Sequence, residues 1–418
     1  MALLNYPNGL KLNVIELADL NTATICVDLV GGYQGETQLY NGTCEIISRL
    51  MLCGTEKYPS ANTLENYAKS QGFVYEISAK QEYLQICVSC LKTKVEQAIE
   101  FVYDILFNSI YDETYLATIK TQIKAEIELN KLNPANYLST LTNQALYART
   151  GLMNTRLGNL KSIDRITSQI IKTQLKKYLT PKNMVISIGG AVNEEKVTEL
   201  IGKLFYNKLK DVPYRQIKYV STVEGFEGFV NIKNRSYNQS RIEISFPALS
   251  FKNNDKYALD IIIKALETQI KQALATEPYF KSLHIESVNY ANNGKLVFSI
   301  IVDADHAEIF MQKVLMELKN ILKSNSLSKQ EFLAEKNAYI TRFVLSSEKA
   351  DELTILSAQE LVIAKEEFVL NDKFELIASI TFDKGCEVLN NVIDFTKINI
   401  AYLGLPVTLN FLKDIIVG

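Results

Sequence analysis

The sequence predicts an α+β fold built from two related domains, and three observations support this prediction. Segments with strand-like alternation and segments with helical periodicity occur in groups rather than in strict succession. The chain has 418 residues, of which 47% are hydrophobic, which is more than one ordinary core accommodates. Helix patterns of the first half also recur in the second. We therefore expect an internal duplication, with domains at residues 1–210 and 226–418 and a linker at 211–225, each domain a mainly antiparallel sheet packed with helices.

In the first half, alternating residues predict strands, and apolar residues three and four apart predict helices. The predicted strands cover residues 10–17, 22–30, 73–79, 82–91 and 183–190. The predicted helices cover residues 42–53, 62–70, 94–107, 112–132, 134–147, 163–179 and 194–204.

The duplication is visible as three matched pairs of segments. The helix at 94–106 aligns with residues 310–322 at an offset of 216, and apolar positions fall on apolar positions. The helices that follow match at an offset of 217, and late in each half a strand ends on a glycine, Gly189 or Gly404. Any two amphipathic helices resemble each other, but three pairs in the same order indicate duplication. The polar stretch between the halves contains Pro213 and Gly225, as is typical of a domain connection.

Charge and hydropathy exclude several classes of protein. Lys and Arg number 45 and Asp and Glu 47, so the formal net charge is -2 and we expect no nucleic-acid partner. No apolar run approaches the roughly 18 residues of a membrane span, and the first residues lack the pattern of a signal peptide. We expect a cytoplasmic protein, or one of the mitochondrial matrix if a presequence was removed.

The cysteines and histidines restrict the chemistry. Six cysteines in so long a chain are expected to be reduced thiols rather than a disulfide framework. Cys87 and Cys90 have metal-ligand spacing, but three residues apart on a strand they point to opposite faces. The chain has only two histidines, His284 and His306, and neither lies near a nucleophile motif, so a Ser-His-Asp hydrolase fits poorly.

Residues 41–60, with the strands before them and the strand at 73–79 after them, resemble the pitrilysin/insulinase family of zinc metallopeptidases in its short, mitochondrial-processing-peptidase-like form. The duplicated plan is similar to that family too, and the resemblance implies a LuxS/metallohydrolase-like clam-shell of two domains around a chamber. In active members a helix carries H-x-x-E-H, whose histidines bind zinc and whose glutamate is the general base. Aligned on Gly42 and Gly54, these positions here hold Glu45, Ser48 and Arg49. The position of the third zinc ligand, 77 residues beyond the second histidine, holds Glu126.

A motif without imidazoles is poorly suited to zinc, because arginine stays protonated and repels a metal ion. Glu45 and Arg49 stand four residues apart, which is ion-pair spacing on a helix. We expect that Arg49 bridges Glu45 and Glu126, that its charge replaces the structural role of zinc, and that no cofactor is bound. The alternative is three solvated surface residues.

The resemblance implies two further sites. In the family an Arg and a Tyr, seven residues apart in the second half, contact substrate, and these positions here hold Tyr279 and Glu286; a shift of four residues would place Tyr290 in this site. Family members also add extended peptides to an exposed strand edge. Here that strand would be the one at 73–79, and the substrate-binding residues we expect on it are Phe73, Tyr75, Ile77 and Ala79, although an ordinary sheet edge explains the same pattern.

The sequence thus predicts a catalytically inactive member of this family. Its expected role is that of a non-catalytic partner subunit that completes the peptide-binding chamber of an active zinc peptidase, as a heterodimer with that subunit or as a homodimer. Two alternatives stay open: an active metalloendopeptidase with an atypical zinc site, which would use Glu45, Glu126 and an unidentified ligand, or a metal-free structural scaffold of the core-subunit type.

Overall fold

The computed structural model of the chain describes residues 2–209, 212–213, 217–223 and 228–410. The predicted linker at 211–225 lies partly outside the described residues. Eleven strands occur in the described part: β1 (Ala2–Asn5), β2 (Lys11–Glu16), β3 (Thr22–Val30), β4 (Val74–Ala79), β5 (Tyr83–Leu91), β6 (Met184–Gly190), β7 (Phe229–Asn234), β8 (Gln239–Pro247), β9 (Phe280–Asn289), β10 (Gly294–Asp303) and β11 (Asn399–Gly404).

The helices of the described part alternate with these strands in groups. They are α1 (Thr43–Leu50), α2 (Ala61–Gln71), α3 (Val95–Asn108), α4 (Glu113–Leu132), α5 (Pro134–Leu146), α6 (Leu160–Arg165), α7 (Ser168–Tyr178), α8 (Glu194–Ile201), α9 (Asn207–Leu209), α10 (Lys256–Leu274), α11 (Ala307–Ser324), α12 (Lys329–Ser347), α13 (Ala350–Gln359), α14 (Leu370–Ser379) and α15 (Phe382–Val392).

Two compact units make up the chain. The first contains residues 1–128, 154–219 and 344–369, and the second contains residues 129–153, 220–343 and 370–418. The predicted contiguous division at 1–210 and 226–418 differs from this one, because α5 belongs to the second unit and α13 to the first. Each of these helices buries its apolar side on a sheet from the other half of the sequence, and the local pattern does not identify that sheet.

The first unit is built on a six-stranded sheet with the order β1-β2-β6-β3-β5-β4. Only β2 and β6 are parallel, and the other pairs are antiparallel. On one face, Ile25, Val27 and Leu29 of β3 join a buried core with α1 and α3. On the other face, α13 packs on β3 and β6. Strand β4 lies at the edge of the sheet.

The second unit repeats this plan with the order β7-β11-β8-β10-β9. Here too only one pair, β7 with β11, is parallel, and the other pairs are antiparallel. Helices α10 and α11 contribute Ile262 and Leu315 to a core on one face. On the other face, Leu138 and Leu141 of α5 pack against Leu403 of β11. The predicted α+β duplication with mainly antiparallel sheets is confirmed.

Two sequence-based expectations are wrong in detail. The single helix predicted at 163–179 is interrupted between α6 and α7, because Thr167 is extended and caps α7 by accepting a hydrogen bond from the Ile170 amide. The expectation of six reduced thiols fails for Cys26 and Cys87, which stand opposite each other in the β3–β5 register and form a disulfide. Cys90 points into the core, away from the half-buried Cys87, as predicted.

Candidate functional site

Helix α1, which carries the positions predicted to correspond to the zinc motif, is held at its start by a buried glutamate. Its N-cap residue Gly42 has no side-chain oxygen and a φ of 103°, where a Cβ would lie 2.9 Å from the Leu157 carbonyl oxygen. The Glu36 carboxylate instead accepts hydrogen bonds from the backbone amides of Gly42, at 2.7 Å, and Cys44. Burial raises the pKa of Glu36 to about 7, although these hydrogen bonds oppose the rise.

The predicted bridge is present. The Arg49 guanidinium donates to the Glu45 carboxylate from Nε at 2.8 Å and to both oxygens of Glu126 at 2.6 and 2.7 Å. The contact with Glu126 is bidentate, the geometry that suits guanidinium and carboxylate best. Glu45 is almost fully buried, with 5% of its side chain exposed, whereas Arg49 and Glu126 are partly open to solvent at 23% and 39%. Three solvated surface residues do not describe this site.

A second arginine completes the site and was missed by the sequence analysis. Arg156 Nη1 donates to Glu45 Oε1 at 2.6 Å, 111 residues away in the chain. Glu45, Arg49, Glu126 and Arg156, called the charge cluster below, therefore contain two positive and two negative groups. The half-exposed Arg156 follows no helical spacing rule with respect to Glu45, so the sequence offered no signal for it.

The charge states within the cluster are stabilised by its own hydrogen bonds. The bonds to Glu126 raise the pKa of Arg49 further above its ordinary value, although burial opposes this. The same bonds lower the pKa of Glu126. Arg49 and Glu126 are therefore both charged at neutral pH.

Ser48, at the predicted general-base position, is buried and donates its hydroxyl hydrogen to the Glu45 carbonyl at 2.8 Å. The hydroxyl hydrogen of Ser48 is therefore engaged in a hydrogen bond within α1. With an ordinary serine hydroxyl in place of a carboxylate, this position offers no group that takes a proton from water at neutral pH.

The residues of the charge cluster do not fit the zinc ion of active family members. Zinc at a catalytic site takes three protein ligands, usually including imidazoles, and keeps an open position for water. Here both carboxylates are already bound by Arg49, whose charge stands where the cation would be. The described residues also contain no group of three His, Cys, Asp or Glu side chains that could hold a metal ion.

The strand predicted to bind peptides lies at the edge of its sheet, and β5 is its only strand partner in the described part of the chain. The residues predicted to contact substrate point largely inward: Phe73, Ile77 and Ala79 are buried in the core, and Tyr75 packs against it. Val74 and Glu76 are the exposed residues, with 74% of Val74 accessible. Any peptide added here would bond to the backbone edge, while the four predicted side chains support the strand from the core.

The two positions predicted to correspond to the Arg–Tyr pair of the family lie on the second unit. Tyr279 precedes β9 and stacks its ring on His306, and Glu286 is an exposed residue of β9. Tyr290, the alternative position, is buried and contacts the ring of Tyr147 edge-on. His284 is exposed, with Nδ1 3.3 Å from a Glu267 oxygen.

No helix in the described residues is long and apolar enough to cross a membrane.

Comparison with known proteins places both halves in one family. Residues 14–159 match the model for insulinase, peptidase family M16, and residues 165–339 match the model for the peptidase M16 inactive domain. The crystal structure of a peptidase M16 inactive domain from Pseudomonas fluorescens superimposes with a TM-score of 0.89, at 15% identity, over 97% of this chain and 98% of that one. This likeness shows the fold.

The curated relatives are distant in sequence. The "Probable mitochondrial-processing peptidase subunit beta" of Arabidopsis thaliana is 22% identical over 75% of this chain and only 62% of its own length. The cytochrome b-c1 complex subunit 1 of Caenorhabditis elegans is 22% identical over 82% of this chain and 75% of that protein. The "Non-peptidase homolog YmxG" of Helicobacter pylori is 26% identical over 48% of both chains.

Proposed function

The chain belongs to the insulinase family of peptidases, M16, and on this premise we propose that it is a catalytically inactive member that serves as the partner subunit of an active zinc peptidase. One observation carries the proposal. The Arg49 guanidinium lies between Glu45 and Glu126, so a fixed positive charge holds together the positions that bind zinc in active members. The cluster keeps α1 and α4 connected without a metal.

The same residues argue against hydrolysis by this chain. Peptide hydrolysis by this family requires a water molecule activated by zinc and a glutamate that accepts its proton. Ser48 stands at the position of that glutamate, and Arg49 and Glu45 stand at the positions of the imidazoles. An active peptidase with an atypical zinc site would need to displace Arg49 from both carboxylates, which costs two charge-assisted contacts.

Peptide binding is the function that this geometry can retain. Strand β4 offers a free backbone edge, and strand addition uses main-chain hydrogen bonds that need no catalytic side chain. The exposed Val74 and Glu76 would contact alternate side chains of the peptide. We propose that this edge holds extended peptides in the chamber formed with the active subunit.

The name of one relative supports a role without catalysis, and the name of another supports a role as a subunit. The Helicobacter protein is named a non-peptidase homolog, and the Arabidopsis protein is named a subunit of the mitochondrial processing peptidase. By analogy we propose a heterodimer with an H-x-x-E-H subunit of the same family, in the cytoplasm, or in the mitochondrial matrix if a presequence was removed.

A second candidate is a metal-free scaffold, which the likeness to a cytochrome b-c1 complex subunit favours. Purification of the chain from its native source separates the two roles. The partner-subunit role predicts a stoichiometric second chain of the same family with zinc in that chain. A lone homodimer without zinc would instead support the scaffold.

Catalysis by the isolated chain is tested directly. We expect no stoichiometric zinc by elemental analysis and no chelator-sensitive cleavage of a fluorogenic peptide library. Either result in the opposite sense would overturn the inactive assignment and favour the atypical metal site.

Restoring the motif tests whether the charge cluster replaces a metal site. The variant Glu45→His/Ser48→Glu/Arg49→His keeps Glu126 as third ligand, and we expect it to bind one zinc per chain. The matched control adds Glu126→Gln and should bind zinc at least tenfold more weakly, because one ligand is missing. A folded triple variant that takes up no zinc would show that α1 and α4 no longer present a metal site.

A further inference from the structure

A cleft of about 670 Å³ lies in the first unit, away from α1 and β4. It is bordered by the start of α3, by α8 and by the turns that follow β2, β5 and β6. Helix α3 packs against α8 along one side of it. Its volume falls within the range of typical ligand sites.

Apolar and polar side chains both line the cleft. Ile99 and Val197 are buried, and Val95, Val192 and Leu200 are half-buried around them. Val95, Val192 and Leu200, which come from α3, the segment before α8 and α8, supply the accessible apolar surface, and they form the apolar strip of the cleft. Such a strip is suited to the apolar face of a bound segment.

The rim of the cleft carries lysines that are free of carboxylate partners. Lys92, Lys196 and Lys203 line it, all three are exposed, and among the described residues none of them forms an ion pair. Glu96 and Glu199 lie on the same rim, which leaves one positive charge in excess. Helix α3 also starts at the cleft without a side-chain cap, and its amino end adds partial positive charge.

The spacing of the lysines indicates an elongated ligand. Lys196 lies on α8 and Lys203 in the π-helical turn Gly202–Tyr206 that continues it, and the seven residues between them correspond to about 10 Å along the helix axis. A single phosphate or carboxylate cannot reach both. Gln97 adds a buried Oε1 that accepts no hydrogen bond in the described part of the chain, so a donor on the ligand would satisfy it.

We propose that this cleft binds an acidic amphipathic helix of a partner protein, whose apolar side covers the strip between α3 and α8 and whose carboxylates pair with Lys92, Lys196 and Lys203. This inference does not rest on the proposed peptidase partnership or on peptide binding at β4. It assigns the chain a second interaction surface, where apolar burial provides affinity and the lysines select acidic partners.

The test uses the full chain and a defined probe. The probe is a fluorescein-labelled peptide of two Leu-Glu-Gln-Leu-Glu-Glu-Ala repeats, and its control has Lys in place of each Glu. Fluorescence anisotropy should give saturable binding of the acidic peptide that weakens as salt is added, and at least tenfold weaker binding of the basic peptide.

Charge reversal locates the site. The variant Lys196→Glu/Lys203→Glu should bind the acidic peptide at least tenfold more weakly than the wild type. The matched control Lys161→Glu/Lys172→Glu reverses two exposed lysines on α6 and α7 of the same unit and should bind as the wild type does. Circular dichroism of both variants should match that of the wild type, which checks that they are folded.

Three outcomes would overturn the proposal. The first is that the acidic peptide shows no saturable binding, and the second is that both double variants lose peptide affinity equally. The third is that inorganic phosphate alone competes with the peptide at these lysines. The last outcome would assign the cleft to a small anion.

Discussion

At the scale of single residues, the charge cluster shows how far helical spacing carries a prediction. Glu45 and Arg49 are four residues apart, and this spacing was enough to predict their ion pair. The alignment of Glu126 with the position of the third zinc ligand then predicted that Arg49 also contacts Glu126. Arg156 was not predictable, because it lies in a loop and only the folded chain brings it to Glu45. Glu36 left a weak signal, since a glycine at the N-cap requires another acceptor for the first amides of α1.

Removal of the Arg49 side chain should destabilise the first unit. In Arg49→Ala, the buried Glu45 carboxylate keeps only the half-exposed Arg156, and we expect the free energy of unfolding to fall by about 2–4 kcal/mol in urea titration. Lys69→Ala is the matched control, because Lys69 and Glu65 form an ion pair of the same spacing at an exposed site on α2. The substitution Lys69→Ala should leave the free energy of unfolding unchanged within the error of the titration. Equal effects of the two substitutions would contradict a structural role for the cluster.

The buried Asp28 makes the stability of the first unit depend on pH. It is fully buried on β3, accepts one hydrogen bond from Gln85 at 3.0 Å and leaves Oδ2 without a partner among the described residues. Burial raises the pKa of Asp28 to about 7, although Gln85 and Lys80 oppose the rise. Between about pH 4 and pH 7 the folded chain therefore holds a proton that the unfolded chain has lost, and stability falls as the pH rises through this range.

The substitution Asp28→Asn should remove this loss. Relative to wild type, the variant should gain roughly 2–4 kcal/mol in free energy of unfolding between pH 4 and pH 8. Asp112→Asn is the control with the opposite sign, because the Thr114 amide lowers the pKa of Asp112 and the stability from that carboxylate appears as the pH rises. Parallel pH curves for wild type and Asp28→Asn would contradict the prediction.

At the scale of elements, the sequence was enough to predict that the individual strands and helices exist, but not which strands pair with one another. Alternation located β3, β5 and β6, but the sheet order that places β6 between β2 and β3 depends on contacts far apart in the sequence. The break between α6 and α7 was missed because apolar periodicity continues across Thr167. The Cys26–Cys87 pair was missed for a related reason, since it depends on the register of β3 against β5.

The disulfide leads to a prediction about this pair of strands. Chain purified without reductant and dissolved in urea should show four free thiols, those of Cys44, Cys53, Cys90 and Cys386, and six after reduction. The variant Cys26→Ala/Cys87→Ala should lower the free energy of unfolding by about 2–4 kcal/mol, because the link closes 61 residues of chain. The single variant Cys53→Ala serves as control. Six free thiols before reduction would show that β3 and β5 are not linked.

At the scale of the whole molecule, the duplication extends to the spacing of two charged residues. Helix α10 of the second unit follows β8 as α1 follows β3, and Asp260 and Lys264 on α10 have the spacing of Glu45 and Arg49 on α1. Asp260 accepts a hydrogen bond from Tyr339 of α12 at 3.4 Å, and burial raises its pKa to about 6. Lys264 pairs with Glu267 at 3.2 Å, and no ion pair joins it to Asp260 in the described part of the chain, so the second unit keeps the spacing of the two charged residues but not their ion pair.

The two exchanged helices make the halves of the sequence interdependent. A first half ending at residue 219 lacks α13, so one face of β3 and β6 is uncovered; a second half starting at residue 220 lacks α5, so Leu403 is exposed. We expect each half, expressed alone, to aggregate or to lack a cooperative thermal transition, because a sheet open on one face loses its apolar burial. Co-expressed halves should form a 1:1 complex with the melting temperature of the chain cleaved after folding at a protease site inserted at residue 221. A first half that is monomeric and melts cooperatively by itself would show that folding of the first unit does not require α13. The predicted contiguous division at 1–210 and 226–418 would then describe the folding units better than the division into compact units does.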